Sequence, residues 1–286
     1  MSILSSTGQT EAPRLMPPDA EPDYAQFITE DGQPVDSLYS ERQHRLLTDA
    51  LFASWTAPGG QPHLAATDVG LFYSVNEPAV VPDVMLSLGV SLPGDWSEKK
   101  NRSYFIWRMG KCPDLTVEVV SNAEGGELTT KKDRYAQIGI PYYVVWDPMK
   151  HLSEHPLQCF VLRGRKYEPC EPWFADLELG VMPWEGGYDG MQDRWLRFCD
   201  ADGVVLPTGV ERAEQAERRA STAEKQARAA EKQRRDAEKL ARTAEKQRQD
   251  AEKQTQAAEK QRQLAEQRAA QLAEKLRSLG VDPDQA

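Results

Sequence analysis

The chain predicts an α/β fold followed by one long C-terminal α-helix, and three observations carry that prediction. Residues Cys112 to Pro148 read as strand, loop, helix and strand. Two apolar strand segments each carry an acid, Asp83 and Glu118, and Lys131 stands on the helix after the second. From Ala216 onward the dipeptide Ala-Glu returns every seven residues. A strand, helix, strand order of this length suggests a parallel crossover in a mixed sheet.

In chain order, residues 1 to 23 are rich in Pro, Ser and acids and read as a flexible arm. A globular domain over residues 24 to 206 follows, beginning with Tyr24 to Ile28. Ser40 with Gln43 fits a capping box, and Leu46, Leu47, Ala50, Leu51 and Trp55 recur at helical spacing after it. Ala57 to His63 breaks that helix, and short strands are expected over Ala65 to Tyr73 and Val80 to Leu88. Residues 91 to 103 are a charged loop and Tyr104 to Trp107 a short strand. Leu115 to Val120 alternates apolar and polar side chains, which predicts a half-buried strand with Asp114, Thr116 and Glu118 on one face. Leu128 to Ile138 is helical in spacing and Gly139 is placed to stop it. Tyr142 to Trp146 is apolar throughout, a buried strand closed by the Asp147-Pro148 turn. Gln158 to Leu162 and Tyr167 to Pro169 form a hairpin through Arg163-Gly164-Arg165, and residues 171 to 207 wrap their tryptophans onto the body.

Residues 207 to 286 form the repeat helix. Thr208 and Glu211 make a capping box at its start, and Gly280 with Pro283 ends it. Its composition of Ala, Glu, Lys, Gln and Arg favours a continuous helix near 70 residues, roughly 100 Å long. The seven-residue alanine stripe favours a coiled coil and a homo-oligomer, with a dimer preferred, through residues 216–279. Alanine contributes only about 0.8 kcal/mol per methyl, and arginine at stripe positions opposes pairing, so the leucine end is the expected anchor. The other reading is a solitary charged helix held by pairs four apart, such as Glu224 with Arg228 and Glu231 with Arg235.

Charge and composition exclude several classes. The net charge of −10 is uneven: residues 211 to 286 hold 18 Lys and Arg against 15 Asp and Glu, leaving 17 against 30 for the rest. An acidic body is an unfavourable field for unaided duplex binding. No apolar run approaches a membrane span and the first residues lack the pattern of a signal peptide, so a cytoplasmic protein without membrane contact is expected. Cys112, Cys159, Cys170 and Cys199 form no CxxC pair, which argues for reduced thiols and against zinc. GxSxG, a phosphate loop ending in GK[ST] and HExxH are all absent.

The remaining chemistry lies in Asp83, Glu118 and Lys131. An acid inside VVPDVMLSL costs several kcal/mol unless paired, protonated or bound to a metal. Asp83 therefore either caps a backbone amide at the start of its strand or holds an ion. Two carboxylates can hold Mg²⁺ through oxygen ligands, and a lysine beside them can steady phosphate charge. Such a set suits phosphodiester hydrolysis.

Residues 24 to 200 resemble the Uma-two-like family of bacterial endonucleases. The resemblance rests on Pro82-Asp83, on Pro113-Asp114-Leu115-Thr116-Val117-Glu118-Val119-Val120-Ser121, on Lys131 followed by Tyr135, and on Gly139-Ile140-Pro141-Tyr142-Tyr143 leading to Asp147-Pro148. The helix rich in alanine and glutamate after Asp200-Ala201-Asp202-Gly203 is also similar to one appended to members. It implies the restriction-endonuclease-like fold of the PD-(D/E)xK superfamily, a mixed central sheet flanked by helices. It further implies a DNA substrate, Mg²⁺ or Mn²⁺ as cofactor, Asp83 and Glu118 as metal-binding acids, and Lys131 as the catalytic lysine. The ordinary lysine position is Val120 here, so Lys131 would reach the site from the helix. Glu127 replaces an aspartate four residues before that lysine, and Glu41 resembles an acid that some superfamily members place on the first helix. The rival is a catalytically inactive nuclease-fold scaffold that binds partners or self-assembles through its C-terminal helix.

Overall fold

The computed structural model describes residues 22–27, 37–92, 94–122 and 126–279. The expected arm lies outside these residues up to position 21, and so do Ile28 and the Gly280 and Pro283 helix stop. The elements run α1 (Leu38–Ser54), β1 (His63–Thr67), β2 (Leu71–Phe72), β3 (Val84–Leu88), β4 (Tyr104–Phe105), α2 (Ile106–Met109), β5 (Leu115–Val119), α3 (Thr130–Ile138), β6 (Tyr142–Trp146), β7 (Leu157–Arg163), β8 (Lys166–Pro169), β9 (Trp173–Phe174), β10 (Leu179–Tyr188), β11 (Met191–Cys199) and α4 (Gly209–Ser278). Contacts divide the chain into two compact units, Met1–Glu214 and Gln215–Ala286.

The first unit is built on a six-stranded mixed sheet in the order β1-β3-β5-β6-β7-β8. β5 and β6 pair in parallel and every other neighbour is antiparallel. The parallel pair needs a crossover, and α3 provides it. Both parallel strands are buried along their whole length, so the all-apolar run of β6 needs no polar face. β5 corrects the expectation of a half-buried strand: Thr116 and Glu118 are as inaccessible as the valines between them. Alternation there marks which face meets the site.

Two layers of side chains enclose the sheet. On one face Val84, Leu86, Val117, Val144 and Trp146 pack with Leu47 and Leu51 of α1 and with Phe174, Leu196 and Phe198. On the other, Met85, Tyr143, Val145 and Phe160 pack with Tyr135 and Ile138 of α3 and with Tyr104. A third cluster joins Phe27, Phe72, Phe105 and Trp107 at the two-stranded parallel sheet of β2 and β4.

Three local readings change. The cap of α1 is Ser37, whose hydroxyl accepts from the Ser40 amide at 3.1 Å, rather than Ser40 itself. Gln43 is buried instead of capping, and its amide exchanges two hydrogen bonds, of 2.8 and 2.9 Å, with the backbone of Leu196. The second expected strand starts only at Val84, because Asp68, at φ 53°, turns the chain between β1 and β2 and takes the carbonyls of Pro82 and Asp83 onto its amide. Residues 171 to 207 are not an irregular wrap: β10 and β11 form a long hairpin that pairs nine residues, with β9 at its edge. Its turn is Asp189-Gly190, both with positive φ, which matches a two-residue hairpin loop. Tyr39 of α1 stacks on Trp195 of that hairpin at 5.0 Å and donates to the Arg194 carbonyl.

The capping box at Thr208 and Glu211 is present: the Glu211 amide donates to Thr208 Oγ1 at 3.2 Å, and the Thr208 amide donates to Glu211 Oε2 at 2.7 Å. The same carboxylate takes both terminal nitrogens of Arg197, a side chain only 1 % exposed. Burial pushes the Glu211 carboxyl up, but the Arg197 and Thr208 hydrogen bonds together hold it below its ordinary value. Beyond Gln215, α4 is exposed almost throughout, with Glu224–Arg228, Glu231–Arg235 and Glu238–Arg242 pairs along it. No helix among the described residues is long and apolar enough to cross a membrane.

Glu211→Ala would leave the buried Arg197 guanidinium without its anion, and should cost about 2–3 kcal/mol, less than the full loss of a wholly buried pair because Glu211 is partly hydrated. Chemical denaturation at pH 7 measures it. Since the folded carboxyl titrates below the unfolded one, this stabilisation is full above about pH 4.3 and fades as pH falls through the folded value. The gap between wild type and variant should narrow steadily as pH is lowered below about 4.

Candidate functional site

Asp83 stands one residue before β3, and Glu118 is the fourth residue of β5. The antiparallel register pairs Val84 with Val117, so one step further it sets Asp83 opposite Glu118. Like charges directly opposite on adjacent strands repel. The arrangement persists because each acid is held elsewhere. Asp83 Oδ2 accepts from the Val119 amide at 2.6 Å, so the acid does cap a backbone amide. Glu118 is fully buried and divides its oxygens: Oε2 takes Lys131 Nζ at 2.7 Å, and Oε1 takes the Tyr135 hydroxyl at 2.5 Å.

Lys131 reaches this position because α3 starts just before it. Gly126 presents its carbonyl to the Lys131 amide at 2.9 Å, and a Cβ at 126 would collide with the Thr130 hydroxyl. The first turn of the helix is thereby pressed over the end of β5. A lysine in that turn and a tyrosine four residues on share one helical face, and both meet Glu118. Val120, where the ordinary lysine would stand, is 2 % exposed and packed with Tyr135 and Ile138. Glu127 is also buried, 4.0 Å from Lys131 Nζ, and its Oε2 has no hydrogen-bond partner. Its backbone carbonyl is held by the Tyr143 hydroxyl.

The other flank was not visible in the sequence. His44 of α1 is buried, with Nδ1 3.1 Å from Asp68 Oδ2 and Nε2 3.7 Å from Asp83 Oδ2. Ligand atoms of His44, Asp68 and Asp83 all lie within 4.8 Å of one another. These three residues come from a helix, a turn and the start of a strand, so no spacing announces them. Asp68 is a non-glycine residue in the left-handed region, a conformation that costs free energy and recurs at functional sites. Glu41 does not take part: its carboxylate is 45 % exposed and pairs with Arg45 at 3.3 Å. The side chain that α1 brings to the site is His44, almost one turn further along. Asp114 and Asp147, also in the family motifs, are structural. Asp114 takes Lys111 and the Leu88 amide, and Asp147 takes the amides of His151 and Leu152.

Burial pushes the Glu118 carboxyl up to about 8, and Asp83 adds to this, against the pull of Lys131 and Tyr135. Burial opposes a charge on Lys131 as well, but Glu118, Asp83 and Glu127 hold its ammonium above the ordinary value. His44 is raised to about 9 by Asp68 and Asp83 although burial acts the other way. Each basic group is kept charged and the inner acid is the one that suffers. The site holds more negative potential than its own cations neutralise, and His44 Nε2 and Glu127 Oε2 remain buried without hydrogen-bond partners. The carboxylate oxygens around Asp83 are donors that suit a divalent cation, whereas His44, while it is kept charged, has no lone pair to give one.

A mixed sheet carrying two acids on neighbouring strands and a lysine beside them is the arrangement of the restriction-endonuclease-like class. The family model described as "Putative restriction endonuclease", Uma-two, matches residues 29–182, more than half of the chain. The chain belongs to that family. No curated protein and no solved structure shows significant similarity to it.

At pH 9, above the raised value of Glu118, Glu118→Gln removes the buried, repelled charge and should raise the melting temperature of cation-free protein by a few degrees, as expected where a site stores strain. Mn²⁺ should raise the melting temperature of wild type through preferential binding to the folded state and leave that of Glu118→Gln almost unchanged. Differential scanning calorimetry with and without Mn²⁺ reads both effects.

Proposed function

We propose that the chain is a divalent-metal-dependent DNA endonuclease that hydrolyses phosphodiester bonds at Asp83, Glu118 and Lys131. The observation that carries the reading is the fully buried Glu118, gripped by Lys131 and Tyr135 and set opposite Asp83 across the strand pair. A structural ion pair needs only one acid. Two acids facing each other at a lysine are costly for folding and useful for a cation and a phosphate.

Asp83 and Glu118 would hold the Mg²⁺ or Mn²⁺, and the ion would supply Lewis-acid stabilisation of phosphate charge. Lys131 stays an ammonium, so it serves by donating to the attacking water or the phosphate oxygens and not by taking a proton. Tyr135 fixes the Glu118 rotamer by its short hydrogen bond. His44 joins Asp68 to Asp83 and orients the latter, a positioning role. In the reaction a water oxygen bonds to phosphorus and a phosphorus–oxygen ester bond breaks, the water proton passing to solvent and the departing ester oxygen taking a proton from solvent.

Cleavage of supercoiled plasmid and of single-stranded DNA tests the proposal. Wild type should cut with Mg²⁺ or Mn²⁺ and stop with chelator. Glu118→Ala and Lys131→Ala should each lose at least about a hundredfold in rate, the scale of one lost transition-state contact. Cutting that survives both changes would remove the assignment, and no cutting by folded wild type would favour the scaffold reading.

That second reading has one observation of its own: α4 from Gln215 onward exposes its alanine stripe together with Leu272 and Leu279. We propose that this stripe dimerises the chain, with the leucine end as anchor. Sedimentation of the full chain beside a version ending after Glu214, which retains the Arg197–Glu211 pair, should give a dimer and a monomer. Equal oligomeric states would remove this part.

A further inference from the structure

The central sheet carries a cavity of about 220 Å³ on the same face as the acids. Leu64, Ala66 and Met85 line it from β1 and β3, and Trp96, Asn101 and Tyr104 line it from the segment before and within β4. Ala66 stands two residues before Asp68, and Met85 two residues after Asp83. Two residues of strand span about 7 Å, which sets Met85 in the cavity wall about that far along the chain from Asp83, on the same face of the sheet. Pockets for drug-sized ligands run to about 300–1,000 Å³. This one is sized for a single planar ring system.

Its lining is not that of a mere packing defect. Trp96 is 54 % exposed, whereas the other tryptophans are buried or half-buried. Asn101 is only 6 % exposed; its amide nitrogen donates to the Asp95 carbonyl at 2.6 Å, and its Oδ1 is buried with no hydrogen-bond partner. A buried acceptor left open costs free energy that a ligand N–H would recover. The Tyr104 hydroxyl is fixed between Ser87 and the Lys111 carbonyl, so that wall is rigid. Within residues 98–111 Lys100 pairs with Glu98 and Lys111 with Asp114, and the segment adds Lys99, Arg102 and Arg108 with no further acid. In a body with 17 basic against 30 acidic residues, this is a local reversal of charge beside the cavity.

We infer that this cavity receives one unpaired nucleobase of the substrate strand next to the phosphate at Asp83 and Glu118. Trp96 stacks on the base, Asn101 Oδ1 accepts from a base N–H or amino group, and Lys99, Arg102 and Arg108 supply positive charge for the flanking phosphates. The enzyme would then act on single-stranded DNA or on a base turned out of the duplex. The inference rests on the nuclease reading, and it explains how an acidic body would hold DNA at all.

Equilibrium binding separates the two, because it needs no cleavage. Full-length protein in chelator is titrated with a fluorescent single-stranded oligonucleotide and with the same backbone carrying an abasic tract. Wild type should bind the intact strand about tenfold more tightly. Trp96→Ala, a change at an exposed residue, should lose that advantage, Trp96→Phe should keep most of it, and Asn101→Leu should weaken intact-strand binding with little effect on the abasic strand. If Trp96→Ala and Asn101→Leu both discriminate as wild type does, the base pocket is overturned, whether or not the protein cuts DNA. If discrimination depends on Trp96 while wild type cuts nothing, the pocket stands and the nuclease reading falls.

Discussion

A fully buried carboxylate, Glu118, is the constraint on which the rest of the first unit depends. It sits in the middle of the sheet, on a strand covered on both faces, where no water can solvate it. A charge in such a place requires partners, and they come from elsewhere in the chain: Lys131 and Tyr135 from the crossover helix, with Asp83 facing it from the antiparallel neighbour. The crossover therefore has two functions. It allows β5 and β6 to run parallel, and it delivers the lysine that the strand itself lacks. Val120, one residue past β5, is packed in the hydrophobic layer under α3, so the cation beside Glu118 comes from the helix and not from the strand.

The opposite face of the sheet is devoted to stability. α1 lies between the sheet and the β9-β10-β11 hairpin, tied to the hairpin by the Gln43 amide and by the Tyr39 ring and hydroxyl. The buried Arg197 on β11 then needs an anion, and the first turn of α4 supplies it through Glu211. The capping box of the repeat helix is thus also part of the packing of the nuclease-like body. That is why the contacts that define the first unit run on to Glu214, past the start of the helix.

His44 links these two faces. It belongs to α1, the stabilising helix, yet its imidazole is in contact with Asp68 and near Asp83. Asp68 reaches it from a left-handed backbone conformation just past β1, whereas Ala66, two residues earlier, is set in the cavity wall by its pairing with Met85. The exposed Trp96 and the reversal of charge in segment 98–111 lie against that same region.

The residue pattern alone determined the elements with strong periodicity or chemistry. The strand, helix, strand run of 112–148, the all-apolar β6, the β7–β8 hairpin and the continuous repeat helix with its Thr208 and Glu211 box each follow from local rules of spacing and capping. Asp83 and Glu118 stand out in the sequence because an acid in an apolar strand demands partners, and Lys131 stands on the helix that follows Glu118. Tertiary structure decided what depends on pairs far apart in the chain. Gln43 reads as a capping residue until Leu196, 153 positions later, takes both of its amide groups. The β10–β11 hairpin, rich in glycine and tryptophan, shows weak alternation and is stabilised by packing on α1. His44 and Asp68 carry no recognisable spacing, because a cluster drawn from a helix, a turn and the start of a strand is joined only by the fold that brings its side-chain atoms within 4.8 Å of one another.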